Sequence, residues 1–142
     1  MSKKRFLGSQ YPLVKGSRGI LAPLSGVDQI KADLLQLLLT NPGERVMLPL
    51  FGTPLRKLIF EPNDPLLAQK ARTMIGDAIK IWEPRIEINQ ISVTSNFNNK
   101  ELNPLDFGEE NGAILGIKIE FFDPVKINEI QELELQVPIA GF

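Results

Sequence analysis

A chain of 142 residues with a formal net charge of -1 and a pI near 5.5 has room for one core, and it lacks the basic field that a nucleic-acid backbone or an anionic membrane surface requires. It contains neither cysteine nor histidine, which removes disulfides, thiolate nucleophiles, histidine bases and nearly all zinc, haem and iron–sulfur ligation. Hydrophobic residues at 43% and charged residues at 23% are ordinary globular usage, so a single domain over residues 1–142, with no cofactor and no metal, is the starting expectation.

The basic opening MSKKRFLGS is not followed by an uninterrupted apolar run. The longest such run, Leu34 to Leu39, is broken by Gln36, so neither an export signal nor a membrane span is expected. Gly8 to Gly26 (GSQYPLVKGSRGILAPLSG) alternates glycine, proline and serine with isolated apolar residues, which predicts an extended N-terminal arm over residues 1–24 with little regular structure. Ser25 and Asp28 have the form of a capping box. Val27, Ile30, Leu34, Leu37 and Leu38 then recur at helical spacing and predict a helix from Gly26 to Leu39.

The tetrad Asn41, Pro42, Gly43, Glu44 predicts a sharp turn. Arg45 to Leu50 (RVMLPL) is apolar enough to predict a short strand, with Pro49 restricting it to a strand end or sheet edge. Phe51, Gly52, Leu55, Leu58 and Ile59 predict a short helical turn packed beneath it. Asp64 followed by Pro65 is a cap and a first-turn proline, and Leu67, Ala71, Met74, Ile75, Ala78, Ile79 and Trp82 continue a second helix. Pro84 ends it by pushing Glu83 toward an extended conformation.

Ile86 to Val93 predicts a strand with a bulge at Asn89 and Gln90, where its apolar phase slips. Asn96 to Gly112 is a long polar loop. Leu115, Ile117, Ile119 and Phe121 alternate with polar residues in a second strand, ended by Asp123 and Pro124. Leu133, Leu135 and Val137 alternate with Glu132, Glu134 and Gln136 in a last strand, whose charged face and Pro138 suit a sheet edge. Helices first and strands after predict an α+β fold, with the N-terminal arm and helices packed on a small, mostly antiparallel β-sheet.

Glu44, Glu61, Asp64 and Glu83 are the carboxylates that could work as a hydrolytic acid and base pair, but each has a simpler role at a turn, before a proline, as a cap or at a helix stop. Trp82, Glu83, Pro84 and Arg85 admit two readings. One is a helix stop with an exposed ion pair, worth about 0 to 1 kcal/mol. The other is an extended corner on which Glu83 and Arg85 stand side by side, offering a planar guanidinium and an indole wall to another protein.

The order LLLTNPGERVMLPLFGTPLRKLIFEP, a helix, then WEPRIEINQISV resembles the baseplate wedge family of contractile-tailed phages, that of the tail-sheath initiator and of baseplate assembly protein W. The likeness runs from about Phe6 to Phe122, on TNPGER at Thr40 to Arg45, Phe51 with Gly52, and Glu83 to Arg85. It implies a structural, non-enzymatic part present in several copies around a six-fold tail axis, in a virion baseplate or contractile injection particle assembled in the bacterial cytoplasm. The implied partners are other wedge proteins, tail sheath subunits and the central tube or spike hub. Carried over, Trp82, Glu83, Pro84, Arg85 and Arg45 become a contact with wedge subunits. The strands holding Leu115, Ile117, Ile119, Leu133, Leu135 and Val137 become a sheath-docking edge. Members have also been labelled lysozyme-like, which makes a carboxylate-based peptidoglycan hydrolase the alternative.

Overall fold

The computed structural model describes residues 7–16, 21, 23–61, 65–96, 114–126 and 128–138. Two helices pack on one face of a three-stranded antiparallel sheet, with a second, two-stranded sheet beside the first helix, so the fold is α+β as expected. Asp64 and nearly all of the polar loop after Asn96 lie outside the described residues.

The segment expected to be an irregular arm contains two short strands, β1 (Leu7–Ser9) and β2 (Pro23–Ser25), paired antiparallel, and a separate isolated bridge between Lys15 and Leu21. Pairing with each other gives the backbone groups of both short strands partners within the segment. Helix α1 spans Val27–Leu39. Its cap is Gly26 at φ 69°, with no side-chain cap bond, so the capping box anticipated from Ser25 does not form. Ile30, Leu34, Leu37 and Leu38 are buried on its core side, and Thr40 closes its end by donating both Oγ1–H and N–H to the Gln36 carbonyl.

Arg45 to Leu50 is not a strand but a series of tight turns, because its carbonyls and N–H groups bond within the loop. The predicted helical turn follows as the 3-10 helix Leu55–Phe60, with Leu55 and Leu58 in the core. Helix α2 runs Pro65–Trp82, starting on the proline that needs no N–H partner and burying Leu67, Ala71, Ile75, Ala78 and Ile79.

Strands β3 (Glu87–Asn96), β4 (Ile114–Phe122) and β5 (Ile130–Pro138) follow in spatial order β3-β4-β5. The register shifts between Ile88 and Gln90, at the predicted bulge. On the inner face Val93 sits opposite Ile117 and Ile91 opposite Ile119, while Ile119 meets Leu133 and Ile117 meets Leu135, so apolar pairs run across all three strands beneath the helices. On the outer face Lys118 reaches Glu132 at 3.1 Å and Glu120 at 3.5 Å. Those carboxylates, Glu132 first, hold its ammonium above the usual lysine range.

The topology corrects one expectation. β4 is the central strand, bonded on both sides, so Leu115, Ile117 and Ile119 cannot belong to a strand that offers a free edge, and their side chains are buried in the core. Among the described residues no strand pairs with the far side of β5, where Leu133 is buried and Leu135 and Val137 are half-buried. No described helix is long and apolar enough to cross a membrane, and no described cluster of acidic residues could hold a metal.

Candidate functional site

The chain leaves α2 through a turn rather than an extended corner. Glu83 N–H still donates to the Ile79 carbonyl at 2.8 Å, and Ile86 N–H points back to the Glu83 carbonyl at 3.5 Å, with Pro84 and Arg85 at the two central positions. Proline presets φ at the first of these. Turning instead of extending sends Glu83 inward, where it is 4% exposed, while Pro84 stays in solvent.

A carboxylate at the C-terminal end of a helix faces the negative pole of the helix dipole and needs a cation beside it. Arg85 supplies that cation two residues on, donating Nε–H to Oε1 and an Nη2 hydrogen to Oε2 of Glu83 in a planar fork. Nη2 also donates to Asp33 Oδ2 on α1 at 2.7 Å. The guanidinium is held above the ordinary arginine range, by Glu83 foremost, against the opposing effect of burial, and then by Asp33. Gln29 continues the chain one helical turn earlier, donating Nε2–H to Asp33 Oδ1 at 2.7 Å from a buried position beneath Gly8 of β1. The ion pair is therefore not the exposed one that the helix-stop reading supposed, and Glu83 does not stand outward beside Arg85.

Trp82 packs against a second ring, Phe51. The two rings meet edge to face, with centroids 5.2 Å apart at 70°. Arg45 lies over the other side of Phe51, its guanidinium carbon 4.1 Å from the ring centre. Asp33, Arg45, Phe51, Trp82, Glu83 and Arg85 line a recess of about 180 Å³. The structure thus brings together Arg45, Trp82, Glu83 and Arg85, and adds Asp33 and Gln29. The only local signal for the latter two was a pair of polar residues four apart beside the apolar stripe of α1.

The loop that carries Arg45 is clasped at its base. Asn41 donates its backbone N–H and side-chain Nδ2–H to the Glu44 carboxylate at 3.0 and 2.8 Å, with Arg56 3.6 Å away. These hold Glu44 below the usual carboxylate value of 4.5, the Asn41 side chain most and its backbone next. A depressed folded value stabilises the clasp above the unfolded value and releases it as pH falls through the folded one. The amide-exchange protection of Asn41 should accordingly fall as the pH drops below the usual carboxylate value. Unchanged protection would mean that ionised Glu44 does not hold the loop.

Three comparisons bear on this geometry. Baseplate wedge protein gp25 of Enterobacteria phage T4 is 35% identical over 68 residues, 48% of this chain and 52% of its own, so the match spans about half of that relative. A crystal structure described as a tail lysozyme from Geobacter sulfurreducens superposes with a TM-score of 0.64 at 24% identity, covering 83% of this chain and 96% of that one. A chain of the anti-feeding prophage baseplate, solved by electron cryomicroscopy, superposes with a TM-score of 0.59 at 17% identity, covering 95% and 86%. At such identities the two structures share the fold. Residues 24–108, more than half of the chain and all of the cluster from Gln29 to Arg85, match the family described as Baseplate wedge protein gp25, and the chain belongs to that family.

Proposed function

We propose that this protein is a structural, non-enzymatic component of the baseplate of a contractile tail or contractile injection particle. It acts as a single domain, present in several copies around the tail axis and assembled in the bacterial cytoplasm. It links wedge subunits through the surface built on Arg45, Trp82, Pro84 and Arg85, and it starts sheath assembly at the open edge of β5, where a sheath segment adds as a further strand. The observation that carries this reading is that the family match covers the whole Gln29 to Arg85 cluster. That no strand pairs with the far side of β5 among the described residues supports the second contact, because unpaired N–H and C=O groups accept a strand.

The lysozyme reading has less support in the chemistry. Both oxygens of Glu83 are taken by the Arg85 fork, Glu61 pairs with Lys70 at 2.7 Å in solvent, and Glu44 is held by Asn41. A glycosidase needs one carboxyl free to give a proton to the leaving oxygen. The test pairs two measurements: electron microscopy of particles made without this chain, and peptidoglycan hydrolysis by the purified protein. Bare tubes and no hydrolysis are expected. Sheathed particles of normal composition, or hydrolysis that Glu83→Gln abolishes, would overturn the structural role.

A further inference from the structure

Between Arg45 and Phe51 the chain turns its apolar side chains outward: Val46 is 93% exposed, Met47 89%, Leu50 79% and Leu48 45%. Four large apolar side chains within five consecutive residues form a larger exposed apolar surface than isolated surface leucines would. The loop does not expose them for want of structure. Gly43 N–H donates to the Pro49 carbonyl at 2.7 Å, Leu48 N–H to Arg45 at 3.2 Å and Phe51 N–H to Leu48 at 3.0 Å, while Thr53 N–H ties the base to Thr40 at 2.9 Å. A loop fixed in advance loses little entropy when it binds, which is how an anchor gains affinity.

We propose that Val46, Met47, Leu48 and Leu50 form a convex plug that seats in an apolar groove of a different baseplate subunit. This rests on the baseplate role and names the contact that holds the chain there. A convex apolar surface needs a concave apolar acceptor. The recess beside Arg85 sets Asp33, Arg45, Glu83 and Arg85 beside Leu37, Phe51 and Trp82, and the hollow on the outer face of the sheet sets Ser92, Thr94, Lys118, Glu134 and Gln136 beside Ile117 and Leu135. Either hollow on a second copy would set charged groups against the plug, whereas an apolar groove on a different subunit would not. Arg45, at the base of the plug, pairs with no carboxylate among the described residues and lies over the face of Phe51. That leaves a cation for an acidic group on the rim of the groove. The plug is continuous with the surface around Trp82 through the Arg45, Phe51 and Trp82 contacts.

The experiment supplies Met47→Asp, or the milder Val46→Ser with Met47→Ser, as the sole copy of the chain in cells that assemble particles, and quantifies the chain in purified particles by mass spectrometry. Because the altered side chains are in solvent, the purified variants should unfold at the wild-type denaturant midpoint. Their content in particles should drop roughly tenfold or more, as when a central interface anchor is lost. Folded variants incorporated at the wild-type level would overturn the plug alone. Absence of the wild-type chain from particles would overturn the baseplate role and the plug with it. Sedimentation supplies a third outcome: a wild-type dimer that Met47→Asp dissolves would assign the surface to self-association and overturn the proposal.

Discussion

Arg85→Ala should lower the free energy of unfolding by about 2 to 4 kcal/mol, because it leaves the Glu83 carboxylate buried without its cation. Breaking a fully buried pair costs about 3 to 5 kcal/mol, and the range here is reduced because the Arg85 side chain is about a third exposed, so water reaches part of the pair. The alanine also removes the donor to Asp33 Oδ2, freeing α1 from the turn after α2. Urea unfolding followed by Trp82 fluorescence measures this directly, since Trp82 is the only tryptophan and lies beside the lost group. Adding Glu83→Gln to Arg85→Ala should recover part of the loss, because a buried neutral amide costs less than a buried unpaired carboxylate. A single-mutant loss below about 0.5 kcal/mol would return the pair to the status of an ordinary surface ion pair. Arg85→Ala is for the same reason an ambiguous probe of docking, and solvent-facing changes at Val46 or Met47 are better suited to that question.

The fold was legible where periodicity and proline chemistry act locally. The stripe from Leu67 to Trp82 has one helical reading, Pro65 marks its start, and the slip at Asn89 and Gln90 shows in the alternation of a single strand. Arg45 to Leu50 was misread because an apolar run was taken as a short strand, whereas here the backbone bonds to itself and the side chains face water. The pairing within the arm was not legible because Leu7 to Ser9 and Pro23 to Ser25 are each too short for a pattern and become strands only by pairing with each other. At the site, Trp82, Glu83 and Arg85 were visible as charged or aromatic residues in unusual places, and Arg45 only through the family resemblance. Their arrangement was not, because Asp33 meets Arg85 across 52 residues of sequence and the inward swing of Glu83 depends on a turn rather than an extended segment.

Gly52→Ala should cost about 3 kcal/mol or more, and its comparison with Gly43→Ala identifies the cause. Both glycines have positive φ, 95° at Gly43 and 123° at Gly52, so alanine strains the backbone at either by about 1 to 3 kcal/mol. Around Gly43 a Cβ meets open space. At Gly52 it overlaps the Thr40 carbonyl oxygen and lies 2.9 Å from the Thr40 carbonyl carbon, backbone atoms that cannot rotate away. The same crossing carries the Thr53 N–H bond to Thr40 and the Thr53 hydroxyl bond to the Leu37 carbonyl at 3.2 Å, so relief of the overlap opens the base of the loop. Phe51, one residue before, then moves off Trp82 and out from under Arg45. Gly52→Ala should therefore change Trp82 fluorescence in the folded state as well as the unfolding midpoint, whereas Gly43→Ala should shift only the midpoint, and by less. Equal losses with unchanged folded-state fluorescence would show that backbone conformation alone requires glycine at Gly52, and that the close crossing of Thr40 does not hold the aromatic wall in place.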